Sequence, residues 1–294
     1  MTTPISKLLL FNVLALLMAS SVAVATPLQN AAREAVEGTT ASVVRGEDGW
    51  LFLREELQHL AAGKFLGEEA KKVSRAKKKN YADPKPEILA YNKKLAEKGI
   101  TLYLMPVPPK ALIYPEKLKA GLGSDGVKED VALYTRFFQE LSLEGVEVID
   151  LLPTLLTEKE KATSPLYCRT DTHYSGTGLA LFAEAAAARL QKAPWYTAVP
   201  KEKFDLESAK ISITGDLARM SGDTAETEEV ELSLVSRATD GSLVASDAAS
   251  PVILLGDSHA LVFQAGGDLH AKGGGLFDML SAKLGFAVDL LGVR

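Results

Sequence analysis

The sequence has almost no cysteine: its 294 residues include a single one, Cys168. One thiol cannot close an intramolecular disulfide, so no internal covalent cross-link supports the fold even in an oxidising compartment. Because free cysteines are among the most buried side chains, we predict that Cys168 is a small apolar core residue rather than a reactive thiol.

Positive charge is also scarce. The chain has 33 lysines and arginines against 38 aspartates and glutamates, which gives a net charge of −5. Proteins that bind nucleic acids need a basic face, so this balance argues against that class. A basic run over residues 71–79 is typical of a solvated helix face or loop. Salt-sensitive attraction to an anionic polysaccharide is the alternative interpretation.

No uninterrupted apolar run reaches the roughly 20 residues that cross a bilayer. Lys7 precedes a mostly apolar segment over residues 8–18, and residues 23–25 supply the small-x-small pattern that a signal peptidase needs. These features predict a signal peptide over residues 1–25, cleaved before Thr26, and hence a periplasmic protein. An uncleaved membrane anchor is the alternative, because the small residues that follow lengthen the apolar segment.

Predicted strands and helices alternate along the rest of the chain, which is 47% hydrophobic and shows no internal repeat. The predicted strands cover residues 49–53, 100–105, 146–151, 252–255 and 286–291. The predicted helices cover residues 86–98, 128–143, 178–191 and 276–284. Alternation of this kind implies an α/β fold, a three-layer α/β/α sandwich around a mostly parallel sheet, in which ligands bind beyond the carboxyl ends of the strands.

One apolar run ends on a motif that can carry chemistry. Residues 252–255 form a short β-branched and leucine-rich stretch that stops at Gly256-Asp257-Ser258. Glycine lets the backbone turn sharply there, and a helix beginning just after Ser258 directs free N–H groups and a positive dipole end at whatever the hydroxyl attacks. The pattern predicts a serine nucleophile, although an apolar strand that exits into a turn has the same residues.

A serine nucleophile needs a base and a group that orients the base. Among the four histidines, His173 is preceded two positions earlier by Asp171. In an extended segment these two side chains point to the same side. We therefore predict a catalytic triad of Ser258, His173 and Asp171, with some of the segment serving as the N-cap of the next helix.

The other three histidines are given smaller roles. His259 directly follows the serine, which usually sends the two side chains apart, so we expect at most a local contact. His59 and His270 are interpreted as surface or structural residues. Neither a metal site nor a cofactor is predicted.

The chain resembles a known family in four segments. These are residues 46–52, residues 106–115, residues 170–174 and residues 256–259. Gly-Asp-Ser with a separate Asp-x-His is similar to the SGNH hydrolase superfamily, and the details resemble its AlgJ/AlgX-like alginate O-acetyltransferase branch. Most SGNH enzymes carry the serine block first; the reversed, permuted order found here is typical of this branch.

The resemblance implies an SGNH hydrolase-like domain, which we place at residues 43–294 with an inserted polar segment at about 200–250. It implies a polysaccharide O-acetyltransferase that uses a Ser-His-Asp triad and an acetyl-serine intermediate. It also implies an exopolysaccharide acceptor and a membrane O-acyltransferase that supplies acetyl groups. A carbohydrate acetylesterase and a non-catalytic polysaccharide-binding or assembly protein are the alternatives. Relatives tend to continue with a further helix and strand, so we expect either a truncation or a differently closed sheet.

Four further residues are assigned to substrate binding or oxyanion support. Lys110 follows a predicted strand end and two prolines, so it either faces the pocket or is a surface lysine. Tyr174 fills the position where relatives usually carry tryptophan. Gly256 and His259 flank the nucleophile motif.

Overall fold

The computed structural model describes residues 24–74 and 76–293, in which helices and short strands alternate. The helices are α1 Pro27–Glu37, α2 Arg54–Ala62, α3 Gly67–Val73, α4 Lys85–Ala96, α5 Lys110–Ile113, α6 Pro115–Leu118, α7 Lys128–Leu143, α8 Leu152–Lys159, α9 Gly176–Leu190, α10 Asp216–Met220, α11 Ser258–Leu261 and α12 Leu276–Leu284. The strands are β1 Val43–Arg45, β2 Leu51–Leu53, β3 Tyr103–Leu104, β4 Glu147–Val148, β5 Phe204–Ile213, β6 Glu228–Arg237, β7 Ile253–Gly256 and β8 Asp289–Gly292.

The predicted signal peptide lies almost wholly outside the described residues. The described chain starts just before α1, where the Thr26 side chain accepts a hydrogen bond from the Gln29 backbone N–H and the Gln29 side-chain oxygen accepts one from the Thr26 backbone N–H. This capping box satisfies two of the N–H groups that a helix start leaves unpaired. Within residues 24–74 and 76–293, no helix has the length and apolar character that a membrane crossing requires.

All four predicted helices are confirmed, with ends within two residues of those expected, as α4, α7, α9 and α12. The apolar positions of α9 recur three and four residues apart and form one buried face that packs against α12. Burying each large side chain in that contact contributes roughly 1.5–3 kcal/mol. These two helices support the elements that carry the candidate site.

The strands differ more from expectation. The described residues contain four two-stranded pairings: β3 with β4 and β7 with β8 are parallel, whereas β1 with β2 and β5 with β6 are antiparallel. One continuous, mostly parallel sheet is therefore not seen in the described part of the chain. The reason is that a ladder needs a hydrogen-bonding partner from elsewhere in the chain, which a local apolar run does not encode. The run at 100–105 pairs over Tyr103–Leu104 only, and Ile100 is exposed.

The polar segment at about 200–250 is more regular than expected. Strands β5 and β6 pair in register over ten residues each, and α10 lies between them in sequence. Strand β6 packs closely on the start of α9, where a Cβ built on Gly176 would lie 2.0 Å from the Glu231 carbonyl oxygen. Only glycine permits that approach of two backbones. The domain boundaries themselves stay a prediction.

The basic run at residues 71–79 begins in α3. There Lys71 pairs with Glu68 at 2.6 Å, and Lys72 pairs with Glu69, each three residues apart and exposed. Local acidic partners reduce the positive charge that these lysines present to solvent. This part of the run has the geometry of a solvated helix face.

Candidate active site

Ser258 is placed by a strand, a tight turn and a short helix. Strand β7 ends at Gly256, Asp257 caps the next helix by accepting the His259 backbone N–H at 2.9 Å, and α11 begins at Ser258 itself. Glycine is needed at 256 because a Cβ there would lie 2.8 Å from the Ala260 Cβ. The hydrogen bond from the His259 side chain, helped by the one from its backbone, lowers the pKa of Asp257 to about 2. The serine thus lies at a strand end, as the sequence predicts.

The Asp-x-His segment is a tight loop rather than a strand end. An antiparallel bridge between Tyr167 and Tyr174 closes it, with the Cys168 N–H donating to the His173 carbonyl at 3.0 Å. Inside the loop the Asp171 carboxylate accepts the backbone N–H of His173 at 3.0 Å. Aspartate often forms such a turn by accepting the backbone N–H of the residue two positions later. Here the turn brings the carboxylate and the imidazole together.

The three predicted triad residues lie in one hydrogen-bonded line. The His173 Nδ1–H donates to Asp171 Oδ1 at 2.5 Å, and the Ser258 hydroxyl lies 2.8 Å from His173 Nε2, although 85 residues separate serine and histidine. Because Asp171 as a carboxylate can only accept, Nδ1 carries the proton and Nε2 is free to accept from serine. Burial by itself lowers the pKa of His173, but the hydrogen bond and charge of Asp171 raise it above its ordinary value.

Asp171 accepts two further hydrogen bonds on its second oxygen. The Asp216 backbone N–H donates to Oδ2 at 2.8 Å, and His270 Nε2 lies 2.9 Å from the same atom. Burial alone raises the pKa of the Asp171 carboxyl, yet the hydrogen bonds from His173 and His270 hold it well below the usual range. The contact of His270 with this carboxylate was not foreseen from the sequence.

Asp216 lies beside the triad as a second carboxylate. Its two oxygens accept the backbone N–H and the hydroxyl of Thr172, at 2.8 and 2.6 Å, and Oδ2 is 4.0 Å from His173 Nδ1. Together with Asp171 and His173 it has the spacing of a metal-ligand cluster. Protein donors already occupy all four carboxylate oxygens, so the cluster is arranged for hydrogen bonding rather than for ligation.

Lys110 does not occupy either position expected of it. Its amine is neither in the cleft nor at the surface but is buried, and it donates to the carbonyl oxygens of Leu51, Arg169 and Asp171 at 2.7, 3.0 and 3.0 Å. The ammonium also lies 5.1 Å from the centre of the Trp50 ring. Burial lowers the pKa of this amine to about 8. The assignment to substrate binding was wrong because the amine is fully used inside the protein, where it ties β2 to the Asp-x-His loop.

Tyr174 and His259 support the site from behind the reactive atoms. The buried Tyr174 hydroxyl donates to the His259 carbonyl, which links the Asp-x-His loop to α11. The His259 ring meets the His173 ring edge-on, with centroids 4.7 Å apart. Cys168 is also confirmed as a buried residue, and burial raises the pKa of its thiol. His59 lies elsewhere and contacts the Tyr134 hydroxyl at 2.9 Å.

A cleft of about 350 Å³ opens over the serine. Its lining combines two triad residues with the cap of α11, with residues of α10 and of the loop after α11, and with the residue that follows β8: His173, Asp216, Arg219, Asp257, Ser258, Asp268, Leu269 and Val293. The Arg219 guanidinium donates to the Asp268 carbonyl at 2.8 Å and joins two of these walls. The arrangement provides a hydroxyl, a base and room for an acyl group and a polar acceptor.

Comparison with known proteins places this geometry in a family. A family described as the SGNH hydrolase-like domain of the acetyltransferase AlgX matches residues 43–266. The probable alginate O-acetylase AlgJ of Pseudomonas aeruginosa is 29% identical over 150 residues, which are 51% of this chain and 33% of that protein. The chain thus spans about a third of the length of the curated relative.

Two solved structures share the fold. AlgX of Pseudomonas aeruginosa superposes with a TM-score of 0.61 at 18% identity, covering 88% of this chain and 55% of that one. The O-acetyltransferase domain of Pseudomonas putida AlgJ gives a TM-score of 0.58 at 22% identity, covering 85% and 79%. By the family match over residues 43–266, the chain belongs to the AlgX-type SGNH hydrolase-like acetyltransferase family.

Proposed function

We propose that the protein is an exported polysaccharide O-acetyltransferase that works through an acetyl-serine intermediate. The observation that carries the proposal is the continuous line from Asp171 Oδ1 through the His173 imidazole to Ser258 Oγ, with contacts of 2.5 and 2.8 Å. A hydroxyl so paired with an oriented base is a competent nucleophile for acyl transfer. Relatives named as alginate O-acetylases support the choice of acetyl groups and of a polysaccharide.

The first half-reaction forms the acetyl-enzyme. His173 Nε2 takes the proton of the Ser258 hydroxyl while Oγ attacks the acetyl carbonyl of the donor. The tetrahedral intermediate collapses as the donor's leaving group departs with the proton from His173, which leaves an ester on Ser258. In this proposal the Ser258 backbone N–H donates to the developing oxyanion, because the N–H groups of His259 and Ala260 already donate to Asp257. One such donor is typically worth about 3 kcal/mol.

The second half-reaction uses the same residues in reverse. His173 removes the proton of a sugar hydroxyl, whose oxygen attacks the ester carbonyl on Ser258. Collapse of this intermediate breaks the bond to Oγ, returns the proton to serine and releases the O-acetyl sugar. Asp171 keeps its negative charge throughout and stabilises the imidazolium that forms in each half-reaction.

The proposal includes a source of acetyl groups and a cellular location. Family resemblance implies a membrane O-acyltransferase that passes acetyl groups outward, and an exopolysaccharide as the acceptor. Export to the periplasm is inferred from residues 1–25 of the sequence. No cofactor enters either half-reaction.

A carbohydrate acetylesterase is the second candidate function. The cleft is open and Ser258 is partly exposed, so water reaches the ester as readily as a sugar does. The two functions share the first half-reaction and differ only in the nucleophile of the second. A non-catalytic binding protein is the third possibility and needs no triad chemistry.

One assay separates the three functions. Purified protein is incubated with a chromogenic acetyl ester, with and without oligosaccharides, alongside the variant S258A. Acetylated sugar found by mass spectrometry supports the transferase, and acetate release unaffected by sugar supports the esterase. Activity that survives in S258A contradicts both the transferase and the esterase. Absence of turnover by the wild-type protein supports the binding protein.

A further inference from the structure

A second histidine contacts the triad carboxylate from the side opposite to His173. The His270 side chain is 5% exposed, and its Nε2 lies 2.9 Å from Asp171 Oδ2. The two residues are 99 positions apart in sequence. His270 takes no direct part in the acyl-transfer steps described above. Its hydrogen bond is to Asp171 and not to His173 or Ser258.

The hydrogen-bond pattern fixes the role of the His270 ring. The low pKa of Asp171 keeps it a carboxylate, which accepts but cannot donate, so His270 Nε2 must carry a hydrogen. Each carboxylate oxygen then accepts two donors: the His173 backbone and ring on Oδ1, and the Asp216 backbone and His270 ring on Oδ2. Without His270, one backbone N–H remains on Oδ2, and rotation about the Cβ–Cγ bond loses one of its four hydrogen-bond restraints.

The backbone around His270 is held in an uncommon conformation. His270 has φ 74° and ψ −74°, and Phe263, in the same loop, has φ 60°. Such conformations cost about 1–3 kcal/mol in residues other than glycine, and they persist where the surrounding structure enforces them. Here the Phe263 N–H donates to the Leu269 carbonyl at 2.9 Å, and the Phe263 ring packs 5.8 Å from the His270 ring. The loop therefore presents the ring to Asp171 at an energetic cost.

The same loop also lines the cleft. Asp268 and Leu269, directly before His270, belong to the cleft wall, and Arg219 holds the Asp268 carbonyl. A single short segment thus contacts both the space for substrate and the rear of the triad carboxylate. We propose that His270 is a positioning residue that locks the Asp171 carboxylate in the orientation in which Oδ1 meets His173 Nδ1.

This inference rests on the proposed function and deepens it. His270 touches neither substrate nor Ser258, so it acts through Asp171 alone. Its loss affects the chemical step, because the imidazole then spends less time aimed at the serine hydroxyl. Binding of the acyl donor in the cleft changes little, because His270 is not part of the cleft lining.

Two amide variants test the proposal, and they differ by one methylene group. In H270N the short amide fits a positive φ better than most side chains but does not reach Oδ2. In H270Q the longer amide places an N–H donor where His Nε2 lies. We expect kcat of H270N to fall by about 10–100-fold with KM within about twofold, as for other supporting hydrogen-bond partners, and H270Q to recover most of the loss. H59Q, outside the site, is the matched control.

A second readout does not depend on turnover. The His173 Nδ1–H in its short hydrogen bond to Asp171 should give a strongly downfield proton NMR signal in the resting protein. We expect that signal to shift or broaden in H270N and to return in H270Q, with thermal unfolding of the two variants alike. An unchanged signal and unchanged kcat in H270N, or equal impairment of both variants, would overturn the positioning role. Activity that persists in S258A would instead contradict the proposed function. The NMR comparison of H270N with H270Q would still decide the role of His270.

Discussion

At the residue scale, the charge of Asp171 is the feature on which the candidate site depends. Two ring donors and two backbone donors surround this buried carboxylate. They stabilise the charged form against the cost of burial, so Asp171 stays ionised and can stabilise a positive imidazole. The same charge explains why the pKa of His173 lies above its ordinary value despite burial.

The raised pKa of His173 predicts the acid limb of the rate profile. A general base works only when neutral, so kcat/KM should fall as pH drops through the pKa of His173, which lies above the usual 6.5. The measurement is kcat/KM for a chromogenic acetyl ester across a range of pH. On a plot of log(kcat/KM) against pH, the acid limb should have unit slope and a midpoint above pH 6.5. A midpoint below 6.5 would contradict the assigned Asp171 contact.

Lys110 gives a second prediction at this scale, concerning stability. K110M removes the ammonium donor from three carbonyl oxygens, of which that of Arg169 keeps the Leu51 N–H. The loss should lower the free energy of unfolding by about 1–3 kcal/mol. The folded pKa of about 8 is below the unfolded value of 10.5, so the unfolded chain binds more protons between these values. Wild-type stability relative to K110M should therefore rise from pH 8 to 10.5.

Urea unfolding of both proteins at several pH values measures this difference. A stability gap that stays flat or shrinks over the window would show that the amine is not desolvated in the folded protein. K117M is a suitable control, since Lys117 pairs with Asp48 near the surface. That variant should change stability by less than about 1 kcal/mol.

Sequence patterns predicted the reactive residues better than those that support them. Ser258, His173 and Asp171 stand in short motifs whose chemistry is readable from residue type and spacing. His270 and Lys110 owe their roles to contacts 99 and 61 residues distant in sequence from Asp171, and no local pattern encodes those. The one sequence feature that could have drawn attention to His270 is the glycine-rich stretch around it, because glycines with positive φ occur in tightly turned loops.

At the scale of elements, the four helices given from the sequence were placed closely, as α4, α7, α9 and α12, whereas the strands were not. A helix satisfies its own hydrogen bonds, so its apolar period and caps lie within one segment. A strand needs a partner from elsewhere. The run at 100–105 predicted a strand, but it pairs over two residues only, and Ile100 is exposed. The Asp-x-His segment likewise brings its side chains together through a turn in a loop, and not through the extended backbone on which the prediction was based.

The contact of α9 with β6 provides a prediction at this scale. In G176A the new methyl group would meet the Glu231 carbonyl oxygen at 2.0 Å, so the helix and strand must move apart. Overpacking of this kind typically costs about 1–3 kcal/mol. Chemical denaturation should show the loss. G123A is the matched control, because Gly123 has φ −87° and open space around its Cβ position. Equal stability of G176A and wild type would contradict the close packing.

At the scale of the whole molecule, acidic charge is concentrated around the candidate site. The cleft carries the carboxylates of Asp216, Asp257 and Asp268 against the one guanidinium of Arg219 among its lining residues. The chain as a whole has a net charge of −5. Such a field disfavours a negatively charged polymer and leaves a neutral one unaffected.

Salt dependence tests this field. Raising ionic strength from about 0.01 to 0.3 M shortens the screening length several-fold, so KM for an anionic oligosaccharide acceptor should fall while KM for a neutral one stays constant. D257N should weaken the salt effect, since Asp257 is an exposed carboxylate at the cleft. A KM for the anionic acceptor that rises with salt would show that attraction dominates and that the local acidic charge is outweighed.

The buried lone thiol has a practical consequence for detecting ligands that enter the cleft. Cys168 is inaccessible to maleimide reagents in the folded protein, since its sulfur is buried and its pKa is raised. A cysteine introduced at Val293, which is 61% exposed and borders the cleft, would then be the one site that takes a fluorophore. Emission from that position would report acyl-donor and sugar entry in real time, without replacement of the native Cys168.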